Sequence, residues 1–194
     1  MAHGIRVKTD WHSDGDDPKG PEEQATVVAT NIWKLADRLT INLQEADYDI
    51  VDLQRGIGIM VEAMAFMVHL SDRLIYGRID DDERTAFIST MASRLAEIVE
   101  GNIHDLLGDH DHPYQAAFLE KINARGAEYA TFDFDPEHPS YPVKHFLGSC
   151  VRELVLDKDK SWIADQISEI EIPKMLDVLK RTIDGLYPKY MPAG

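Results

Sequence analysis

A carboxylate and an imidazole stand inside the most apolar stretch of the chain, GIGIMVEAMAFMVHL at residues 56–70. They are Glu62 and His69. On a helix, seven residues at 100° each place them about 20° apart on one face and about 10.5 Å apart along the axis. Asp72 follows three residues after His69, about 4.5 Å further along, on a neighbouring line of the same face. Such groups in an apolar core cost several kcal/mol unless they are paired, hydrogen-bonded or metal-bound. Three chemistries fit the pattern. In a polar network, Glu62 meets an Arg or Tyr of another helix, with Tyr129 a candidate, and His69 meets Asp72 or a backbone carbonyl. In a metal or small-molecule site, His69 and Asp72 are the better-spaced chelating pair for a divalent ion. The third chemistry is catalysis.

A second concentration of donors follows. His104-Asp105 and Asp109-His110-Asp111-His112 put six metal-ligand types into nine residues. They read as a surface metal site, or as a polar turn before Pro113. His69, the His104-Asp105 pair thirty-five residues later, and a later aspartate (Asp165 or Asp177) are together similar to the H…HD…D pattern of HD-domain phosphohydrolases. That resemblance covers about 110 residues at four points. It implies an all-helical fold, a divalent metal held by those side chains, and metal-assisted phosphoester hydrolysis, in which the ion acidifies a water and polarises the phosphoryl oxygen. The chain departs from the family where Glu100-Gly-Asn-Ile precedes the His-Asp pair in place of a buried apolar run.

Other motifs are absent. A di-iron carboxylate site needs two Glu-x-x-His pairs on apolar helices, and there are none. Nor is there a P-loop, G-x-G-x-x-G, G-x-S-x-G or H-E-x-x-H. Cys150 lies on an apolar stripe, with His145 about 140° away on the same helix, and reads as packing. Met60, Met64 and Met67 read as core filler or as an adaptable surface for a partner.

The elements that must position these groups are helices. Pro21, Glu22 and Glu23 open the first, which runs to about residue 45 with Val28, Ile32, Leu35, Leu39 and Leu43 at helical spacing. Asp47 or Asp49 is the expected cap of the second, which ends at Tyr76 before Gly77. Asp80 and Glu83 form an Asp-type capping box for a third helix that stops near Gly108. A fourth opens at Asp111 or His112 and carries Phe118, Ile122, Tyr129 and Phe132. After a loop from Phe134 to Pro142, a fifth carries Val143, Phe146, Leu147, Val151 and Leu154. A sixth starts near Ser161 and is kinked or split by Pro173. There is no period-2 alternation. The expected fold is all-α: one bundle or array of six to seven helices around a central apolar helix, without β-sheet. Residues 1–20 read as a flexible arm and 21–194 as one helical domain.

Composition narrows the partners. With 20 basic and 35 acidic residues, the net charge of −15 repels nucleic-acid phosphate, and no basic patch offsets it. One cysteine excludes an internal disulfide; with no apolar leader at the N-terminus, it fits the cytoplasm. The run from Gly56 to Leu70 is too short for a membrane span, so none is expected. The expectation is a non-enzymatic module that binds a partner protein or a small apolar ligand. The alternatives are an HD-type phosphohydrolase using His69, His104 and Asp105, and a metal-binding bundle using His69 and Asp72. Whether the chain is an enzyme is left open. Apolar helices in excess of one bundle's needs would favour a homodimer.

Overall fold

The computed structural model describes residues 20–108, 111, 113–135 and 138–188. The expected arm falls almost wholly outside these, as do Asp109, His110 and His112. The helices are α1 (Pro21–Glu45), α2 (Leu53–Ile75), α3 (Asp81–Leu107), α4 (Tyr114–Tyr129), α5 (Tyr141–Arg152), α6 (Ile163–Gln166) and α7 (Ile172–Leu186). A π-helical turn, Ile167–Glu171, joins α6 to α7, so the seven segments form six rods. The described residues contain no strand, only an isolated bridge between Tyr76 and Ile79. The fold is an all-α bundle.

Local chemistry sets most of the boundaries. Asp80 accepts from the Glu83 amide at 2.8 Å and opens α3. Gly77 and Gly108, at φ +75° and +65°, follow α2 and α3 in the left-handed conformation that stops a helix. The cap of α2 is Asp52, which accepts from the Arg55 amide at 2.8 Å, rather than Asp47 or Asp49. Asp47 instead ends α1. It stands at φ +70° where glycine is usual, and the amide of Tyr48 reaches back to the Leu43 carbonyl at 3.0 Å. Helix α4 starts after Pro113 and ends at Tyr129, which leaves Phe132 in the connection. Helix α5 begins at Tyr141, so Pro142 lies inside its first turn, where a missing N–H costs nothing.

Pro173 does not split the last rod. A proline ring collides with the carbonyl four residues back in a regular helix, and the wider π-helical turn just before it makes room. The buried stripe runs Ile163, Ile167, Ile172, Met175, Leu179, Ile183. Its single five-residue step, from Ile167 to Ile172, crosses the π turn and keeps both halves of the rod facing the core. Glu171 closes the turn at 2% exposure. Its carboxylate accepts from Asn42 (2.7 Å), Gln166 (3.2 Å) and Lys174 (2.9 Å).

Helix α2 packs against α1, α3, α4, α5 and α7. At 23 residues it is long and apolar enough, by length and composition, to cross a membrane, which a count of its 15-residue apolar run understates; 56% of its most apolar window is buried among the other helices. Its far end is tied to the last helix. Arg78 donates to Asp184 at 2.6 Å and to the Tyr187 carbonyl at 2.8 Å.

Candidate functional site

Glu62 is 3% exposed. Helix α4 lies alongside and presents its two bases, Lys121 and Arg125, at i, i+4 spacing on the facing side. Arg125 grips the carboxylate with two bonds: Nε donates to Oε2 at 2.6 Å and Nη2 to Oε1 at 2.8 Å. Lys121 Nζ adds a third contact at 2.7 Å. Arg125 also holds Glu128 of its own helix, and its guanidinium lies 5.7 Å from the centre of the Phe146 ring. Two bases thus meet two acids, and no charge is left uncompensated. Burial pushes the Glu62 carboxyl up, but the bonds and charges of Arg125 and Lys121 outweigh it and hold the group below its usual range. The same carboxylate holds Arg125 firmly protonated.

Tyr129 is not the hydrogen-bond partner of Glu62. Its ring is fully buried and its hydroxyl makes no hydrogen bond among the described residues. It stacks on His69, with centroids 5.3 Å apart and planes 20° apart, while Phe66 and Phe146 close on its other sides at 5.7 and 5.1 Å. Burial drives the phenol pKa well up, so the group is a neutral donor at any ordinary pH.

His69 does not find the partner that its spacing from Asp72 suggested. The Asp72 carboxylate turns to Arg84 of α3 at 3.0 Å. His69 Nε2 is buried without a hydrogen-bond partner among the described residues, and Phe134 meets the ring edge-on at 5.0 Å. Burial lowers the imidazole to about 4; the nearby Asp72 pulls it up and Arg73 pushes it down. The ring is therefore neutral at pH 7. An unfolded histidine titrates near 6.5, so the unfolded chain takes the proton first as pH falls. His69 then contributes stability that is complete above about 6.5 and is lost as pH falls toward 4. Allowing for water at the ring's open edge, the loss is on the order of 1 kcal/mol. Urea midpoints at pH 7 and pH 5 should separate more in the native protein than in His69→Phe, which keeps the ring and cannot titrate; equal separations would show that His69 charges freely in the fold.

The four metal-ligand candidates do not share one site: His69 and Asp72 line a cleft whose lining lacks His104 and Asp105. His69 shares a cleft with Ile88 of α3, whereas Ile103, next to His104, lines a different cleft with Ile57 and Val61. From Ile57 to His69 is 12 residues, or about 18 Å of helix. His104 is half-buried with its ring 5.6 Å from Tyr114, and Asp105 is exposed. Asp177 pairs with Arg181 on the surface of α7, and Asp165 is exposed on α6. Among the described residues, no three His, Cys, Asp or Glu side chains converge as a metal site would require. Cys150, half-buried, is pushed up to about 11, chiefly by burial, and stays a thiol.

Two clefts border this polar line. One, of about 400 Å³, opens at Glu62 and Lys121, which already satisfy each other. The other, of about 390 Å³, lies between α2, α3, α4 and the α4–α5 connection. Its walls are Val68, Ile88, Ile122, Phe132 and Phe134 with His69 and Tyr129; Asp72, Arg73 and Asn123 supply polar groups. Phe132 and Phe134 come from the connection beyond α4; helical periodicity put Phe132 on the α4 stripe and carried no signal for Phe134. No family model, curated protein or solved structure matches the chain.

Proposed function

We propose that the chain is a non-enzymatic helical module that binds a small, flat, largely apolar molecule in the His69 cleft. The ligand class is an uncharged ring with one hydrogen-bonding group, of the phenol or indole kind. The observation that carries the reading is His69 itself: a neutral imidazole, its Nε2 without a partner among the described residues, in the wall of a cleft of ligand size. A buried polar atom without a partner costs about 1–3 kcal/mol, and a ligand that satisfies it recovers part of that. A cationic ligand is disfavoured because the Asp72 charge is already paired with Arg84, and the other charge at the cleft, Arg73, lies over the Tyr76 ring. Nothing in the cleft pairs a nucleophile with a base, so the reading is binding and not turnover.

Gly126 supplies the test. It lines the cleft on α4, and a side chain built there meets nothing within 4 Å. Gly126→Leu therefore fills the cleft while gaining about 1 kcal/mol of helix propensity. Ligand-observed NMR with 4-methylphenol and indole should show saturable binding to the native protein. The variant should melt no lower and bind at least tenfold more weakly. Absence of binding at millimolar probe, or equal binding by the variant, would defeat the proposal.

A further inference from the structure

At the opposite end of α2 from the His69 cleft lies a groove of about 200 Å³ between α1, α2 and α3. Its floor is Trp33, Met60 and Met64, which are 9% exposed or less. Its rim is Val51, Leu53 and Leu106, which are 84%, 38% and 53% exposed. Large apolar side chains held in water around a single groove point to a surface that is covered in use.

The charge of the lining is one-sided. Asp37 and Asp52 line the groove, and no Lys, Arg or His does among the described residues. The Asp52 carboxylate caps α2. Asp37, half-buried, has no hydrogen-bond or ion-pair partner for its carboxylate among the described residues, and burial raises its pKa. Trp33, one turn before it on α1, has a buried indole N–H with no partner among the described residues.

We propose that this groove docks an amphipathic segment of another protein, with apolar anchors seated over Met60 and Met64 and a lysine or arginine opposite Asp37. Three features select this occupant. The volume holds one or two apolar side chains, which suits the anchors of a docked helix better than a drug-sized molecule. The methionines repack around anchors of different shape. A cation on the partner meets the carboxylate that the fold leaves unpaired, and the net charge of −15 steers it in. A second copy of the chain would instead bring the same acidic balance.

The probe is a fluorescein-labelled 14-residue peptide of leucine and lysine in an amphipathic helical pattern, with its glutamate-for-lysine counterpart. Anisotropy is read on the native protein, on Asp37→Lys and on Glu120→Lys, an exposed acid on α4 outside the groove. The lysine peptide should bind, Asp37→Lys should weaken it at least tenfold, and Glu120→Lys should change it less than twofold. In a Trp11→Phe/Trp162→Phe background, the Trp33 emission should shift on binding. Equal weakening by both charge reversals would show attraction to the acidic protein as a whole and overturn the proposal. So would equal binding of the glutamate peptide. A dimer in light scattering that Leu106→Ser abolishes would give the groove to a second copy instead and would likewise overturn it.

Discussion

Replacing Arg125 with methionine is expected to lower the unfolding free energy by about 3 kcal/mol, because it strands a carboxylate that the core has cut off from water. Glu62 stays buried, two of its three contacts go, and the half-exposed Lys121 cannot replace a two-pronged grip. Lys121→Met should cost about 1 kcal/mol or less, since its side chain is partly exposed and Arg125 remains on the carboxylate. The pH dependence tells an electrostatic cause from a packing one. In the native protein the Glu62 pKa is lowered. The pair therefore contributes stability above the unfolded carboxyl value near 4.5, and loses it as pH falls through the lower folded value. In Arg125→Met, burial has the upper hand and the Glu62 pKa rises. The variant then regains relative stability as Glu62 takes a proton. Urea denaturation at pH 7 and pH 4 should show the gap between the two proteins narrowing in acid. A gap of equal size at both would mean that lost packing against Phe146, and not the stranded charge, sets the cost.

Gly148→Ala is the second large effect, at about 2 kcal/mol. A Cβ at Gly148 would stand 3.0 Å from both the Cα and the carbonyl oxygen of Ala164 and 3.1 Å from its Cβ. Two of those neighbours are backbone, so no rotamer change relieves the contact and α5 must move away from α6. That opening would loosen the packing of Leu147, Val151 and Ile163, all fully buried. Trimming Ala164 to glycine removes only the Cβ contact, so the double variant should recover little. A melting temperature for Gly148→Ala within a degree of the native value would show that the α5–α6 approach is looser than described.

Much of the fold was legible because it is written locally. Pro21, Gly77, the Asp80–Glu83 pair and Gly108 act within one turn of chain, and each stands at a helix boundary. The misreadings have local rivals. Asp47, Asp49 and Asp52 can all cap a helix, and only the approach of the chain selects Asp52. Phe132 continues the α4 stripe by spacing alone, but the helix stops at Tyr129. The π turn escaped because its five-residue step breaks the period by which stripes are read.

The site was legible only in half. That Glu62 and His69 share the face of a buried helix follows from their spacing. Their partners lie on other helices, and helix register is a tertiary property. The one available signal for Arg125 was its i, i+4 spacing from Lys121, the two being the only bases on α4. For His69 the near neighbour misled, because Arg84 outbids the imidazole for Asp72. The Trp33–Asp37 groove gave no warning, since an aspartate one turn from a tryptophan is unexceptional until α2 and α3 close around it and leave its carboxylate without a partner among the described residues.

The two bonds of Arg78 have a consequence for motion. They join residue 78 to Asp184 and to Tyr187, 109 positions away, so everything from α3 to α7 lies within a closed ring of chain. The last turn of a terminal helix is ordinarily the first to fray and to exchange its amides with solvent. Here that turn cannot open without releasing the buried guanidinium that also fixes the α2–α3 corner. Fraying at the end of α7 and loosening of that corner thus become one event, and the last turn of α7 shares the protection of the α2–α3 corner.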